Sequence, residues 1–345
     1  MEHKGLTLTQ ALPIVREYIQ ANVPVNLAGA PGLGKSALIA QIAAADFAGE
    51  LTDLRASMLD PVDVRGLPYV ENGVARWSRP CFVPAPDDMT PRIIFFDELT
   101  NAPMSVQAAL YQFILDRKAG DHVIPEPVRI VAAGNRVKDR AAAGKMSSAL
   151  ANRMAHIEIV ADLESWLAWA AAAGVHPLAI AFLRFRPELL HVMPGEKAEA
   201  ADKGRTWQMS PDAVAFPTPR SWAQAAKFMD SPNLFALARG LVGEGPAAEL
   251  RNFVQMFATL PPLDSIIANP TTAAVPQNMG ALYALASGLA RKATHGNFAA
   301  IADYVNRMPP EFRALFDVDA KRRDPEITNA PGYTRFAVAN QGIAA

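Results

Sequence analysis

The stretch Gly29-Ala-Pro-Gly-Leu-Gly-Lys-Ser36 decides the fold. Its glycines and proline can continue neither a strand nor a helix, so it must be a loop. Before it runs the short apolar segment Pro24-Val-Asn-Leu-Ala28, and after it Lys35–Ala45 is rich in Ala, Leu and Ile at helical spacing. Strand, glycine loop and helix in that order form the setting in which G-x-x-x-x-G-K-[ST] cradles phosphates. The candidate nucleotide-binding set is Gly29, Ala30, Pro31, Gly32, Leu33, Gly34, Lys35, Ser36 and Ala37. Backbone N–H groups freed by the glycines and by the helix N-terminus face the phosphates, Lys35 reaches the β and γ oxygens, and the Ser36 hydroxyl coordinates Mg²⁺. A plain glycine turn followed by an exposed lysine satisfies the same letters, so the reading needs a second element.

That element lies downstream. Arg92-Ile-Ile-Phe-Phe96 reads as a buried strand ending in Asp97-Glu98. In open α/β sheets, ligands collect at the C-terminal edge of the strands. Asp97 there is placed to hold the Mg²⁺ shell, and Glu98 to polarise a water for in-line attack on a γ-phosphate. Around these two motifs the periodicity predicts a first helix over Leu6–Ala21, a strand at Leu51–Arg55 and a hairpin over Leu67–Trp77 turning at Asn72-Gly73. A helix carrying Val106, Leu110, Phe113 and Ile114 follows, then buried strands at Val128–Ala133 and His156–Val160. The alternation specifies an α/β sheet.

In these residues the chain resembles an AAA+ ATPase, and within that superfamily the MoxR group, over roughly residues 7–260. The finer likeness rests on the Leu67–Trp77 hairpin, on Asp116–Pro127, and on Phe216-Pro-Thr-Pro-Arg-Ser-Trp222. The resemblance implies ATP and Mg²⁺ as cofactors and a P-loop αβα sheet domain followed by an all-α lid. It further implies that Asn135 is a sensor orienting the attacking water and that Arg153 is an arginine finger serving the neighbouring subunit. Arg140 is a second candidate finger, and Arg220 is a lid contact to the nucleotide. A finger acting on a neighbour implies a homo-oligomeric ring, a hexamer in this family, and the family's partners are proteins with a von Willebrand factor A-type domain.

Composition bounds the alternatives. Among 345 residues, 50% are hydrophobic and 19% charged, which fits folded domains rather than disorder. The predicted division is a nucleotide-binding domain over 1–160, a helical lid over 161–260 and a helical C-terminal extension over 261–345. Residues 193–219 are expected to be a long mobile loop with Trp207 exposed. Lys+Arg 33 against Asp+Glu 34 gives a formal net charge of −1, so no global field draws the chain to nucleic acid or an anionic membrane. Arg136, Lys138, Arg140 and Lys145 form a local basic cluster, read as lying near the nucleotide and the subunit boundary. Arg184 and Arg186, interleaved with Phe182 and Phe185, are read as a helix with a buried aromatic face. Cys81 is the only cysteine, which excludes an intrachain disulfide framework and suits a reducing compartment, so the cytoplasm is expected. No apolar run is long enough to span a membrane, no signal peptide is read, and the six histidines show no metal-ligand spacing. A nucleic-acid-dependent AAA+ motor and a non-motor nucleotide switch are the rival readings.

Overall fold

A computed structural model describes residues 5–136, 146–199 and 206–342. They fall into two compact units, divided between Asp162 and Leu163. In the first, α1 (Leu8–Gln20) precedes β1 (Val25–Ala28), α2 (Lys35–Asp46), β2 (Leu51–Arg55) and α3 (Pro61–Arg65). The hairpin β3 (Pro68–Glu71) and β4 (Val74–Trp77) follows, then β5 (Arg92–Asp97) and α4 (Met104–Leu115). The unit closes with β6 (Lys118–Ala119), β7 (His122–Val123), β8 (Val128–Gly134), α5 (Ser148–Ala151) and β9 (Ala155–Glu158).

Five strands make one sheet in the order β2-β5-β8-β1-β9, and every pairing is parallel. A parallel sheet is covered on both faces, so its central strands must be apolar throughout. Ile93, Ile94, Phe95 and Phe96 are accordingly all fully buried. One face packs on α4 through Val106, Leu110 and Phe113, with Phe96 edge-on to Phe113. At the start of the chain a reciprocal cap between Thr7 and Gln10 fixes α1, and Leu6 bridges to Ile159 beyond β9.

The β3–β4 hairpin turns at Asn72 and Gly73, with φ of 52° and 76°, the left-handed pair that the Asn-Gly dipeptide predicts. Both strands are exposed except at Trp77. Its base is closed by Ser78 N–H to Leu67 O at 2.8 Å and by Leu67 N–H to Ser78 Oγ at 2.9 Å. Gly66 lies so near that a Cβ there would meet Ser78 O at 1.8 Å. The β6–β7 turn grips the same base: Trp77 N–H donates to Asp121 at 3.2 Å and the His122 ring bonds Trp77 O at 2.8 Å.

The second unit is mostly helical. It contains α6 (Leu163–Ala172), α7 (Pro177–Phe185), a hairpin of β10 (Lys197–Glu199) and β11 (Thr206–Gln208), α8 (Pro219–Ala225), α9 (Leu234–Val242) and α10 (Glu244–Ala258). After these come α11 (Leu263–Ala268), α12 (Met279–Lys292), α13 (Phe298–Val305), α14 (Pro310–Arg323) and α15 (Tyr333–Ala339). Helices on either side of residue 261 share this unit. α12 supplies Ala284 to the core around Trp222 and Leu282, Leu285 and Leu289 to the core around Phe316. Trp222 is fully buried and its ring N–H donates to Leu189 O at 2.7 Å.

Two expectations are corrected here. The segment 193–219 is not without structure, because β10 and β11 pair antiparallel, Ala198 opposite Trp207. Three-residue strands are too short to show periodicity in the sequence. Trp207 is half-buried rather than exposed: its ring covers Gly245, where a Cβ would meet it at 1.8 Å. Arg184 pairs through both guanidinium nitrogens with Asp319 of α14, and Arg186 pairs with Glu188 at 2.8 Å, so both serve the interior of this unit.

His176 caps α7 by accepting the Leu178 N–H on Nδ1 at 3.2 Å, which requires that nitrogen to be unprotonated. Burial holds its pKa below the ordinary value, with Arg291 acting the same way and Asp230 opposing. Below about pH 6.5 the unfolded chain takes up a proton that the folded ring resists, so stability falls as pH drops through that value. Thermal unfolding at about pH 7.5 and about pH 5.5 checks this. His176→Asn keeps a capping acceptor but cannot titrate, and should show the smaller difference in Tm between the two.

Candidate nucleotide site

Parallel register brings the ends of three strands to one edge. Ala28 lies opposite Gly134, and Phe96 opposite Ala132, so Gly29, Asp97 and Asn135 leave the sheet side by side. The glycine loop departs from β1 with Gly32 and Gly34 at φ of 78° and 96°, conformations that other residues adopt only under strain. Gly34 is the N-cap of α2 and offers no side chain, which leaves the N–H groups of the first helical turn for a ligand or water.

Lys35, on that turn, is buried to 8% exposure and folds back over the loop. Its Nζ donates to Gly29 O at 2.7 Å and Ala30 O at 2.9 Å, and stands 3.4 Å from Asn135 Oδ1. Ser36 Oγ donates to Asp97 Oδ2 at 2.9 Å. A hydroxyl and a carboxylate oxygen meeting beside an uncapped helix terminus are the donors that a phosphate-bound Mg²⁺ takes from protein, since that ion keeps most of its shell for water and phosphate. The residues present therefore fit a magnesium–nucleotide complex. Among the described residues no cluster of three or more His, Cys, Asp or Glu could hold a metal by itself.

Glu98 has φ 58°, an uncommon conformation for a residue with a side chain. The other Asp97 oxygen accepts the Glu98 N–H at 2.8 Å, which holds the turn. Two residues that the sequence reading did not single out grip the Glu98 carboxylate: Ser57 Oγ donates at 2.5 Å and Arg55 Nη1 at 3.3 Å. Both come from the end of β2 and the turn after it, and only the pairing of Arg55 with Asp97 across β2 and β5 brings them near. On the same face of β2, Asp53 has its carboxyl pushed above the usual range, by burial first and then by the charge of Asp97, with Arg55 opposing.

Thr100 fixes Asn135. Its Oγ1 accepts the Asn135 N–H at 3.1 Å and donates to Asn135 O at 3.2 Å, and a Cβ on Gly134 would meet that side chain at 2.7 Å. Arg136 pairs with Glu158 at 2.6 Å. Arg153 is exposed, and its side chain takes part in no hydrogen bond or ion pair among the described residues. Arg220, in the second unit, is exposed at the start of α8 behind the Thr218–Ser221 cap. Of the basic cluster, Lys138, Arg140 and Lys145 lie outside the described residues. The first unit thus brings together the loop Gly29–Ala37, Asp97, Glu98 and Asn135, and leaves Arg153 apart on the surface.

Residues 24–154 match the family model described as the AAA domain, dynein-related subfamily. These residues are similar to an AAA domain, and the chain has a P-loop AAA+ fold followed by a helical C-terminal part. Among solved structures, NtrX from Brucella abortus aligns at 16% identity over 99% of this chain and 69% of its own, with a TM-score of 0.40. The Thermotoga maritima RuvB Holliday junction branch migration motor aligns at 18% identity over 82% of this chain and 80% of its own, with a TM-score of 0.41. Likenesses of this degree bear on neither activity nor partner. A search of the curated proteins found no match. Among the described residues, no helix is long and apolar enough to cross a membrane.

Thr100→Val removes one hydroxyl at nearly constant shape and leaves the Asn135 N–H unpaired. A loss of about 1–3 kcal/mol is expected, read from urea unfolding. Thr100→Ser, which keeps the hydroxyl, should lose less.

Proposed function

We propose that the protein is an Mg-ATP hydrolase of the MoxR-like AAA+ group that works as a homo-oligomeric ring, a hexamer, and uses hydrolysis to remodel or activate a protein partner. One observation carries the hydrolase reading: the bond from Ser36 Oγ to Asp97 Oδ2 at 2.9 Å, with Lys35 beside it and Glu98 next in the chain. Lys35, released from the Gly29 and Ala30 carbonyls, would turn to the β and γ phosphates, with the loop N–H groups around them. Ser36 and Asp97 would hold Mg²⁺, which supplies charge neutralisation on the phosphate oxygens when bound. Glu98 acts as the base that takes a proton from the attacking water, and Asn135 orients that water. Ser57 and Arg55 each bond one Glu98 oxygen and so hold the carboxylate in place, while each oxygen keeps a second lone pair for a proton.

Arg153 supports the ring. A guanidinium that is exposed and unpartnered among the described residues is free to meet a phosphate bound by the next subunit, the role of an arginine finger. Arg220 is the proposed lid contact to the nucleotide. A partner bearing a von Willebrand factor A-type domain and a cytoplasmic setting belong to the MoxR-like reading and stand or fall with it.

Glu98→Gln should keep nucleotide binding and lose turnover by at least about 10²-fold, measured by phosphate release beside a binding titration. Arg153→Ala should be inactive as well. Mixed together, the two inactive proteins should regain part of the activity, since some interfaces then carry an intact Glu98 and an intact Arg153. Hybrid rings that stay inactive would refute the finger in trans, and Glu98→Gln turning over at the wild-type rate would refute the base.

A further inference from the structure

Gln107 is out of place on its helix. Its neighbours on α4, Val106, Leu110 and Phe113, are core residues, and Gln107 sits among them with 1% exposure. An amide buried in such surroundings is costly unless both of its polar ends are bonded. Here both are. Nε2 donates to Ala102 O at 3.1 Å, and Oε1 accepts the Ser147 N–H at 3.3 Å.

The two partners belong to different halves of the catalytic apparatus. Ala102 closes the short turn that starts at Glu98: Asn101 N–H donates to Glu98 O at 2.9 Å, and Ala102 N–H to Leu99 O at 3.2 Å. Ser147 is the N-cap of α5, its Oγ accepting the Leu150 N–H at 3.3 Å. Arg153 follows directly, its own N–H bonded to Leu150 O at 3.1 Å. α5 spans only Ser148–Ala151, and a helix of one turn has no stability of its own. Its placement rests on the buried Leu150, on the His156 ring bonded to Ala151 O at 2.8 Å, and on whatever holds Ser147. One side chain therefore spans from the turn of the acid to the cap of the helix that presents the finger, while the Arg153 side chain has no anchor among the described residues.

We infer that Gln107 is a positioning residue that sets Arg153 against the Glu98 turn of its own subunit, and so fixes where the finger enters the neighbouring site. The inference rests on the ring reading above, and its test separates the two. Gln107→Met keeps the length of the side chain and removes both hydrogen bonds. The variant should fold, by circular dichroism, and bind ATP as the wild type does, while its turnover falls by about 10²-fold, the scale of a group misplaced by an ångström. Co-assembly then says which group was lost. With Glu98→Gln subunits, activity should partly return, because the Gln107→Met subunit keeps a working acid and borrows a well-placed finger. With Arg153→Ala subunits it should not return, because neither protein then offers a finger in position.

The opposite pattern, rescue by Arg153→Ala and not by Glu98→Gln, would show that Gln107 serves the acid in its own subunit and would overturn the inference alone. Wild-type turnover in Gln107→Met, or rescue by neither partner, would do the same. Failure of the Glu98→Gln and Arg153→Ala control mixture would overturn the ring reading and the inference with it. Should Gln107→Met fail to fold, Gln107→Leu, which also removes both hydrogen bonds, takes its place in the same mixtures.

Discussion

Parallel hydrogen bonding between β1, β5 and β8 is the constraint on which the candidate site depends. Strands in such a sheet lie about 4.8 Å apart, so three chains leaving one edge in register deliver their next residues to a small volume. The register sets Ala28 beside Gly134 and Phe96 beside Ala132, and the residues that follow are the glycine loop, the acid pair and Asn135. A slip of one residue in β5 would turn Asp97 to the opposite face and bring Phe96 into its place. Ile94 and Phe96 pack on the side of α4 while Ile93 and Phe95 are buried on the other face, and the slip would exchange the two sets. Packing on one face thus fixes chemistry on the other.

Charge within the site is balanced by local contacts rather than by exposure to water. Lys35 is almost fully buried and is stabilised by two carbonyls of its own loop, while Asp97 is bonded to Ser36 and to the Glu98 backbone. Lys35 is a group that an incoming polyphosphate would also engage, and Ser36 and Asp97 are groups that its Mg²⁺ would. A ligand that engaged them would exchange these contacts for its own. Asp53, on the same face of β2, has its carboxyl raised first by burial and then by the charge of Asp97, with Arg55 opposing.

What the sequence made legible were the features whose letters are dictated by local backbone. Gly32 and Gly34 need positive φ, Asn72-Gly73 builds a left-handed turn, and an unbroken apolar run such as Ile93–Phe96 is what a strand covered on both faces requires. Asp97, Glu98 and Asn135 could be named because they follow such runs directly. Ser57, Arg55, Thr100 and Gln107 could not, since each acts on a residue brought near by strand pairing or helix packing. Gln107 left one faint signal, a polar letter on the apolar face of a helix. The β10–β11 pairing is not legible because its strands are shorter than a periodicity can register, and the burial of Trp207 is not legible because its partner, Gly245, lies far along the chain.

The base of the β3–β4 hairpin has a consequence for how this protein can be altered. Leu67 and Ser78 are hydrogen-bonded to each other in both directions, so the chain enters and leaves the arm at a single point. The strands beyond that point are exposed, and only Trp77 is drawn against the β6–β7 turn. Such a segment is a cassette: its tip can be lengthened, shortened or rewritten while the sheet keeps its register. Gly66 and Gly120 are the fixed sockets of that cassette, because a side chain on either would strike Ser78 or Trp77 and lever the arm off its seat.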